Sequence, residues 1–318
     1  MSFISKDIAF AEKALTAGEL VAIPTETVYG MAGNGFNENA VKQIFKVKNR
    51  PFYDPLILHT NSIEKLESWG LKIPEVLQPL AKAFWPGPLT LLIKKSAQVP
   101  EIITSGLDRV AVRIPSHATT LDLLSRLSFP LAAPSANPFG YVSPTTPEHV
   151  AVHFEGKIAM VLEGGPCNVG IESTIVGIEN DKPTVYRLGG LSIERIESVV
   201  GKVQVNTSSS KPSAPGMLSK HYSPNKEIVT VDSIAELRNI ETRKTAFILF
   251  DLKKNVPPAK LIQLSLTSDH DEAAQKFYDA LRHWDNDESI TRLVIERLPD
   301  FGLGRAINDR LLRAAAKG

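Results

Sequence analysis

Cysteine is almost missing from this sequence: Cys167 stands alone among 318 residues. That excludes a disulfide framework and a thiolate metal cluster. Long hydrophobic runs are missing too, and none approaches the ~20 apolar residues that a membrane-spanning helix needs. Met1 to Glu12 mixes charges of both signs and lacks the apolar centre of a signal peptide, so a cytoplasmic location is expected. No excess of one charge is present either, with 36 basic against 35 acidic residues. Divided at residue 205, the counts are 19 basic and 20 acidic before it, then 17 and 15 after it. Neither part has a surplus with which to coat nucleic acid or an anionic membrane, so any anion site must be local. A P-loop, HEXXH, a nucleophile elbow and the kinase set are also absent, as is any Cys/His pair at metal spacing. No resident metal and no covalent nucleophile are expected.

What remains is an ordinary globular composition, 43% apolar and 22% charged, long enough for two domains. The most unusual stretch is Ile23-Pro24-Thr25-Glu26-Thr27-Val28-Tyr29-Gly30. A short apolar run from Leu20 ends there in hydroxyls, a carboxylate and a phenol, groups able to grip a polar ligand. Gly33-Asn34-Gly35 then allows close approach of backbone. Asp7 to Ala17, stopped by Gly18, and Glu38 to Lys48 carry helical periodicity. Lys48 falls on the apolar stripe of the second helix, where a lysine can also extend outward at the negative helix end. Lys48-Asn49-Arg50-Pro51 puts two cations on one proline-stiffened turn, suited to an anion or to a solvated loop.

A short strand, Leu56 to Leu58, follows Asp54-Pro55 and runs into His59. Trp85-Pro86-Gly87-Pro88 makes a rigid turn into strand Leu89 to Ile93. Arg113 lies inside the buried alternation Val110 to Ile114, and a buried arginine requires a carboxylate, from the protein or from a ligand. Leu131 to Ala133 leads into Pro134-Ser135-Ala136-Asn137-Pro138, another strand ending in small polar donors. Such strand ends border the ligand crevice of open α/β sheets. Ser143 is placed to cap the next helix. Glu172-Ser173-Thr174 precedes strand Ile175 to Ile178, and Arg187 closes a strand at Val185 to Leu188. Residues 206–225 read as a linker able to span roughly 60 Å at about 3.3 Å per residue, although Met217, His221 and Tyr222 exceed what a spacer needs. Alternating strands and helices after it, including a helix from Ser233 to Ile240, describe a small parallel-sheet domain. The residues alone thus describe a cleft for a phosphorylated ligand and a carboxylate.

Pro24 to Tyr29, Lys48-x-Arg50-Pro51, Phe84-Trp85-Pro86-Gly87-Pro88-Leu89-Thr90, Val112-Arg113-Ile114-Pro115, Ser135-x-Asn137 and Glu172-Ser173-Thr174 together resemble the YrdC/Sua5 family, in order and spacing. The segment Ser213 to Pro224 and the trailing domain are similar to its longer, Sua5-type members. The resemblance implies an α/β fold, a YrdC-like twisted mixed sheet with an open ligand cleft over residues 1–205. A linker acting as lid (206–225) and a smaller Rossmann-like α/β domain (226–318) would follow.

It also implies synthesis of threonylcarbamoyl-AMP and pyrophosphate from L-threonine, bicarbonate or CO2, and ATP. The product would pass to a transferase complex that makes N6-threonylcarbamoyladenosine at position 37 of tRNA. By resemblance, Thr27, His59, Arg113, Ala133 and Ser173 would surround threonine. Arg50, Asp54, Arg109, Ser135, Ser143, Arg187 and Tyr222 would hold ATP, with Mg2+ carried by the nucleotide. Lys48 and Arg50 would offset growing negative charge, while Ser135 and Asn137 donate hydrogen bonds. Asp54 and Arg109 depart from the family pattern, which has Asn and a small hydroxyl at these places. A non-catalytic RNA-binding module is the alternative, against which the balanced charge weighs.

Overall fold

The computed structural model describes residues 3–207, 215, 222–232, 243–250 and 260–316. The expected helix Ser233 to Ile240 and most of the expected linker, Met217 and His221 included, lie outside the described residues.

The first eleven strands are β1 (Ile4–Ser5), β2 (Val21–Ile23), β3 (Gly30–Asn34), β4 (Ile57–His59), β5 (Leu89–Lys94), β6 (Arg109–Arg113), β7 (Leu131–Ala132), β8 (Met160–Leu162), β9 (Thr174–Glu179), β10 (Lys182–Arg187) and β11 (Gln204–Val205). Among the described residues they form one mixed sheet in the order β1-β8-β2-β3-β7-β4-β6-β5-β9-β10-β11. At its centre β4 runs parallel to β6 and antiparallel to β7. His59 is therefore registered opposite Arg113.

Both faces of the early strands are covered, so these read as continuous apolar runs. Leu20, Ala22 and Met31 turn toward the helix Glu38–Lys48, which buries Val41, Ile44 and Phe45 against them. Val21, Ile23 and Ala32 face the other way, onto the helices Ile8–Thr16 and Ala118–Arg126. Asp7 caps the first of these, accepting from Phe10 N at 2.9 Å. Asn37 caps the helix Glu38–Lys48, and Asn49 ends it in the left-handed conformation (φ 54°). That turn swings Arg50 away from the helix axis.

One expectation holds and one fails locally. Gly30–Asn34 is a strand, and the close approach expected of its glycines is found there. A Cβ on Gly33 would lie 2.9 Å from Leu20 Cδ2, so the glycine there serves tight packing of a buried strand. The helix Pro147–Phe154 is capped by Thr146, not Ser143, because the Ser143 hydroxyl is bound elsewhere.

The second unit holds β12 (Glu227–Val231), β13 (Thr245–Leu249), β14 (Leu261–Gln263) and β15 (Arg292–Glu296), all parallel in the order β12-β15-β13-β14. Helix His270–Asp285 buries Ala273, Phe277, Tyr278 and Leu281, and helix Gly304–Ala315 buries Ile307, Arg310 and Leu311. Their cluster also takes in Val28, Val142 and Ile171 of the large unit, so the two units share an apolar seam. Arg282 spans that seam, donating to the carbonyls of Val142 and Ser143. Across it the Tyr141 hydroxyl donates to Asp285 at 2.7 Å.

Candidate functional site

The loop after β2 is held in shape by its own hydroxyl. Thr25 Oγ1 donates to Val28 O at 2.6 Å and accepts from the amides of Thr27 and Val28. Backbone bonds then stitch this loop at two places to the connection that follows β7: Tyr29 N to Pro144 O, Met31 N to Pro134 O, and Ala136 N to Tyr29 O. Two loops that are far apart in sequence thereby form one wall.

Between that wall and the face of β4 lies a hollow of about 560 Å³, open mouth included. Pro55, Leu56, Ile57 and His59 line it, so it runs along a central strand instead of opening only past the strand ends. Thr25, Thr27, Arg50, Arg113, Ser135, Glu172, Ser173, Arg187 and Tyr222 give it a polar lining, with Ala133 and Pro215 among them.

Its three arginines are held in different ways. Arg113 donates from Nη2 to Glu26 Oε1 at 2.6 Å, from Nη1 to Thr27 Oγ1 at 2.9 Å and from Nε to Gly87 O at 3.2 Å. A guanidinium has five N–H donors, so two remain. The carboxylate that burial of Arg113 demanded is thus Glu26, which Ser116 N fixes from the other side at 3.1 Å. Arg50 pairs with Asp54 at 2.9 Å and donates to the carbonyls of Asp54 and Pro55. Arg187 is bound by Ser173 O at 2.9 and 3.0 Å, by Ser173 Oγ at 3.0 Å and by Pro215 O at 3.3 Å, all neutral acceptors. Burial pulls its pKa below the usual arginine value. Ser173 Oγ in turn lies 2.7 Å from Thr90 Oγ1.

His59 is 3% exposed. Burial, with the adjacent Arg113 charge second, pushes its pKa down to about 3. It enters the hollow as a neutral ring. The Tyr222 phenol is pushed up to about 12, burial again leading.

Five of the residues singled out in the sequence do not line the hollow. Lys48 does not extend to solvent; it is 1% exposed and donates to Ser135 O at 2.6 Å and to Asn137 O. Burial, aided by the charge of Arg50, lowers its pKa well below the ordinary lysine value. Its amine therefore ties down the Ser135–Asn137 turn. Asn137 donates inward to Pro138 O and Tyr141 O. Asp54 sits behind Arg50 as its counter-ion. Ser143 donates to Glu172 Oε1 at 2.6 Å. Arg109 stands four residues before Arg113 on β6, its guanidinium on Ile178 O, on the Tyr186 hydroxyl and over the Tyr186 ring. Thr27, Arg50, His59, Arg113, Ala133, Ser135, Ser173, Arg187 and Tyr222 do share the hollow. Glu26, read in the sequence as part of a ligand grip, is instead the counter-ion of Arg113, while Glu172, given no role there, lines the hollow.

Comparison with known proteins decides the lineage. Residues 13–189 match the Sua5/YciO/YrdC profile, described as "Telomere recombination", and residues 191–316 match "Threonylcarbamoyl-AMP synthase, C-terminal domain". The chain belongs to the Sua5/YciO/YrdC family, in its Sua5-type branch. Family membership makes it an enzyme of the nucleotidyltransferase type. It is 40% identical to the threonylcarbamoyl-AMP synthase of Pyrococcus abyssi over 97% of this chain and 94% of the relative. Identity to the threonylcarbamoyl-AMP synthase of Bacillus subtilis is 38%, over 97% and 92% of the two chains. The crystal structure of P. abyssi Sua5 complexed with L-threonine superposes with a TM-score of 0.89 at 39% identity, covering 97% of this chain and 94% of that one. The twisted mixed sheet and the small parallel sheet are thus the Sua5 architecture. Among the described residues, no helix is long and apolar enough to cross a membrane.

Proposed function

We propose that this Sua5-type protein condenses L-threonine, CO2 or bicarbonate, and ATP into threonylcarbamoyl-AMP, releasing pyrophosphate, for N6-threonylcarbamoyladenosine formation in tRNA. The observation that carries this reading is the convergence of three buried arginines and several hydroxyls on one hollow. Arg113 keeps two donors beside Thr27, a seat for an α-amino acid carboxylate. Arg50, Arg187 and Ser135 line the same hollow and supply the cations and hydroxyl that phosphates need. The threonine complex of a relative 39% identical supports the first half.

In this reading the threonine amine, as free base, attacks the carbon of CO2. A C–N bond forms, one proton passes to water, and a carbamate results. A carbamate oxygen then attacks the α-phosphorus of ATP; the new O–P bond forms as the α–β bridging P–O bond breaks, and pyrophosphate leaves. Neither step requires a protein nucleophile, so the residues act by positioning and by offsetting charge. Lys48 contributes by fixing the Ser135–Asn137 turn. The neutral ring of His59 accepts or donates a hydrogen bond without adding charge. Among the described residues, no group of three or more His, Cys, Asp or Glu is placed to hold a metal ion. Mg2+ is therefore assigned to the substrate, as MgATP, held by phosphates and water. Tyr222 and Pro215 add to the lining beside Arg187, and exclusion of water by them would protect carbamate and adenylate from hydrolysis.

The test is incubation of the protein with MgATP, bicarbonate and L-threonine, followed by mass spectrometry for the mixed anhydride. Threonine-dependent pyrophosphate release together with that anhydride is expected. ATP consumption that is indifferent to threonine would overturn the proposal.

A further inference from the structure

One carboxylate in the lining is at odds with a polyanionic ligand. Glu172 is 5% exposed and lines the same hollow as Arg187. An uncompensated negative charge there would repel phosphates. Among the described residues, the large unit's side chains give Glu172 one hydrogen bond, from the Ser143 hydroxyl, and the Arg187 charge acts on it only through space. The compensation comes from across the seam. The Tyr278 hydroxyl, on helix His270–Asp285, reaches Glu172 Oε2 at 2.9 Å and Oε1 at 3.1 Å. Arg310, on helix Gly304–Ala315, donates from Nε to Oε2 at 3.2 Å and is completely buried.

Behind Arg310 the charges alternate outward. Its Nη1 lies 3.1 Å from Asp309 Oδ2, and Asp309 is paired in turn with Arg313 at 3.0 Å. The Arg310 guanidinium also sits over the Tyr222 ring, 5.2 Å from its centre, and Tyr222 stacks on Tyr278 at 5.9 Å. Tyr222, itself part of the lining, is therefore clamped between the two groups that hold Glu172.

We propose that the C-terminal unit serves as the electrostatic complement of the site: Arg310 cancels the Glu172 charge so that the hollow accepts a nucleotide triphosphate. The inference rests on the nucleotide reading given above and makes Arg310 a positioning residue, one that acts through Glu172. At an effective dielectric of about 20, one unbalanced charge some 7 Å from a phosphate is worth roughly fiftyfold in affinity.

The experiment is titration calorimetry of MgATP into the full chain, for wild type, Arg310→Met, Glu172→Gln and the double variant. Arg310→Met should weaken MgATP about fiftyfold, and adding Glu172→Gln should restore affinity to within about fivefold of wild type. Glu172→Gln alone, which leaves the arginine in surplus, should bind MgATP as tightly as wild type or more tightly. That arm stands even if Arg310→Met fails to fold. A double variant no better than Arg310→Met would overturn the inference, and so would an L-threonine affinity, titrated in the same way, that falls and recovers in parallel with that for MgATP, which marks an arginine that only supports the fold. So would weaker binding by Glu172→Gln alone. A wild type that binds no MgATP would instead remove the nucleotide reading itself.

Discussion

The imidazole of His59 should make folding stability depend on pH in a way that can be isolated. The folded chain keeps this ring neutral down to about pH 3, because it is buried and faces the Arg113 charge. In the unfolded chain it takes up a proton near its ordinary pKa of about 6.5. Between those two values the unfolded state binds more protons, so stability falls as the pH falls. The contribution is complete above about pH 6.5 and declines steadily below it. At pH 5 the unfolded ring lies about 1.5 units below its pKa, and at about 1.4 kcal/mol per unit the loss is about 2 kcal/mol. For a cooperative unit of some 200 residues that corresponds to a fall in Tm of about 4–8 °C. Other groups titrate in the same interval, so the quantity to read is a difference. Denaturant unfolding of wild type and His59→Asn at pH 7 and pH 5 should show wild type losing about 2 kcal/mol more than the variant. Parallel losses would mean that the ring is not held neutral, and that charge and burial around it have been misjudged.

Two further outcomes follow from the buried charges and a third from assigning Mg2+ to the substrate. Glu26→Gln leaves Arg113 without its counter-ion, and breaking a buried pair costs about 3–5 kcal/mol; thermal unfolding should show that loss, while calorimetry shows threonine binding retained or tightened as Arg113 is released. Lys48→Met strips the donor from the carbonyls of Ser135 and Asn137, at about 1–3 kcal/mol for each buried acceptor left unsatisfied. Its signature is a lower Tm with a smaller pyrophosphate yield, and an unchanged Tm would contradict the tethering role. Chelation of Mg2+ by EDTA should abolish pyrophosphate release yet leave the far-ultraviolet circular dichroism and the Tm of the protein unmoved; a falling Tm would point to a resident metal.

Periodicity and turn chemistry were enough to locate the helix Glu38–Lys48, the break at Arg50 and the strand that carries Arg113. These depend on neighbours in sequence: an apolar stripe at helical spacing, prolines that fix φ, alternation along a strand. The need of Arg113 for a carboxylate also followed from composition, since a buried guanidinium must be balanced. Which carboxylate was decided by register and loop stitching, which bring Glu26 to it from 87 residues away. The direction of Lys48 was likewise open. A lysine at the end of a helix can reach solvent or turn inward, and only the Ser135–Asn137 turn packed beside it selects the inward course. Arg109 and Ser143 sat in plausible company along the chain, yet their side chains close on Tyr186 and on Glu172, because strand pairing rather than sequence distance determines which groups meet. The role of Glu172 was invisible for the same reason. Its partners Tyr278 and Arg310 stand 106 and 138 residues onward, on helices of another unit. Local sequence determines what each segment is and which groups it must satisfy; the docking of sheet, loops and second unit decides which atoms satisfy them.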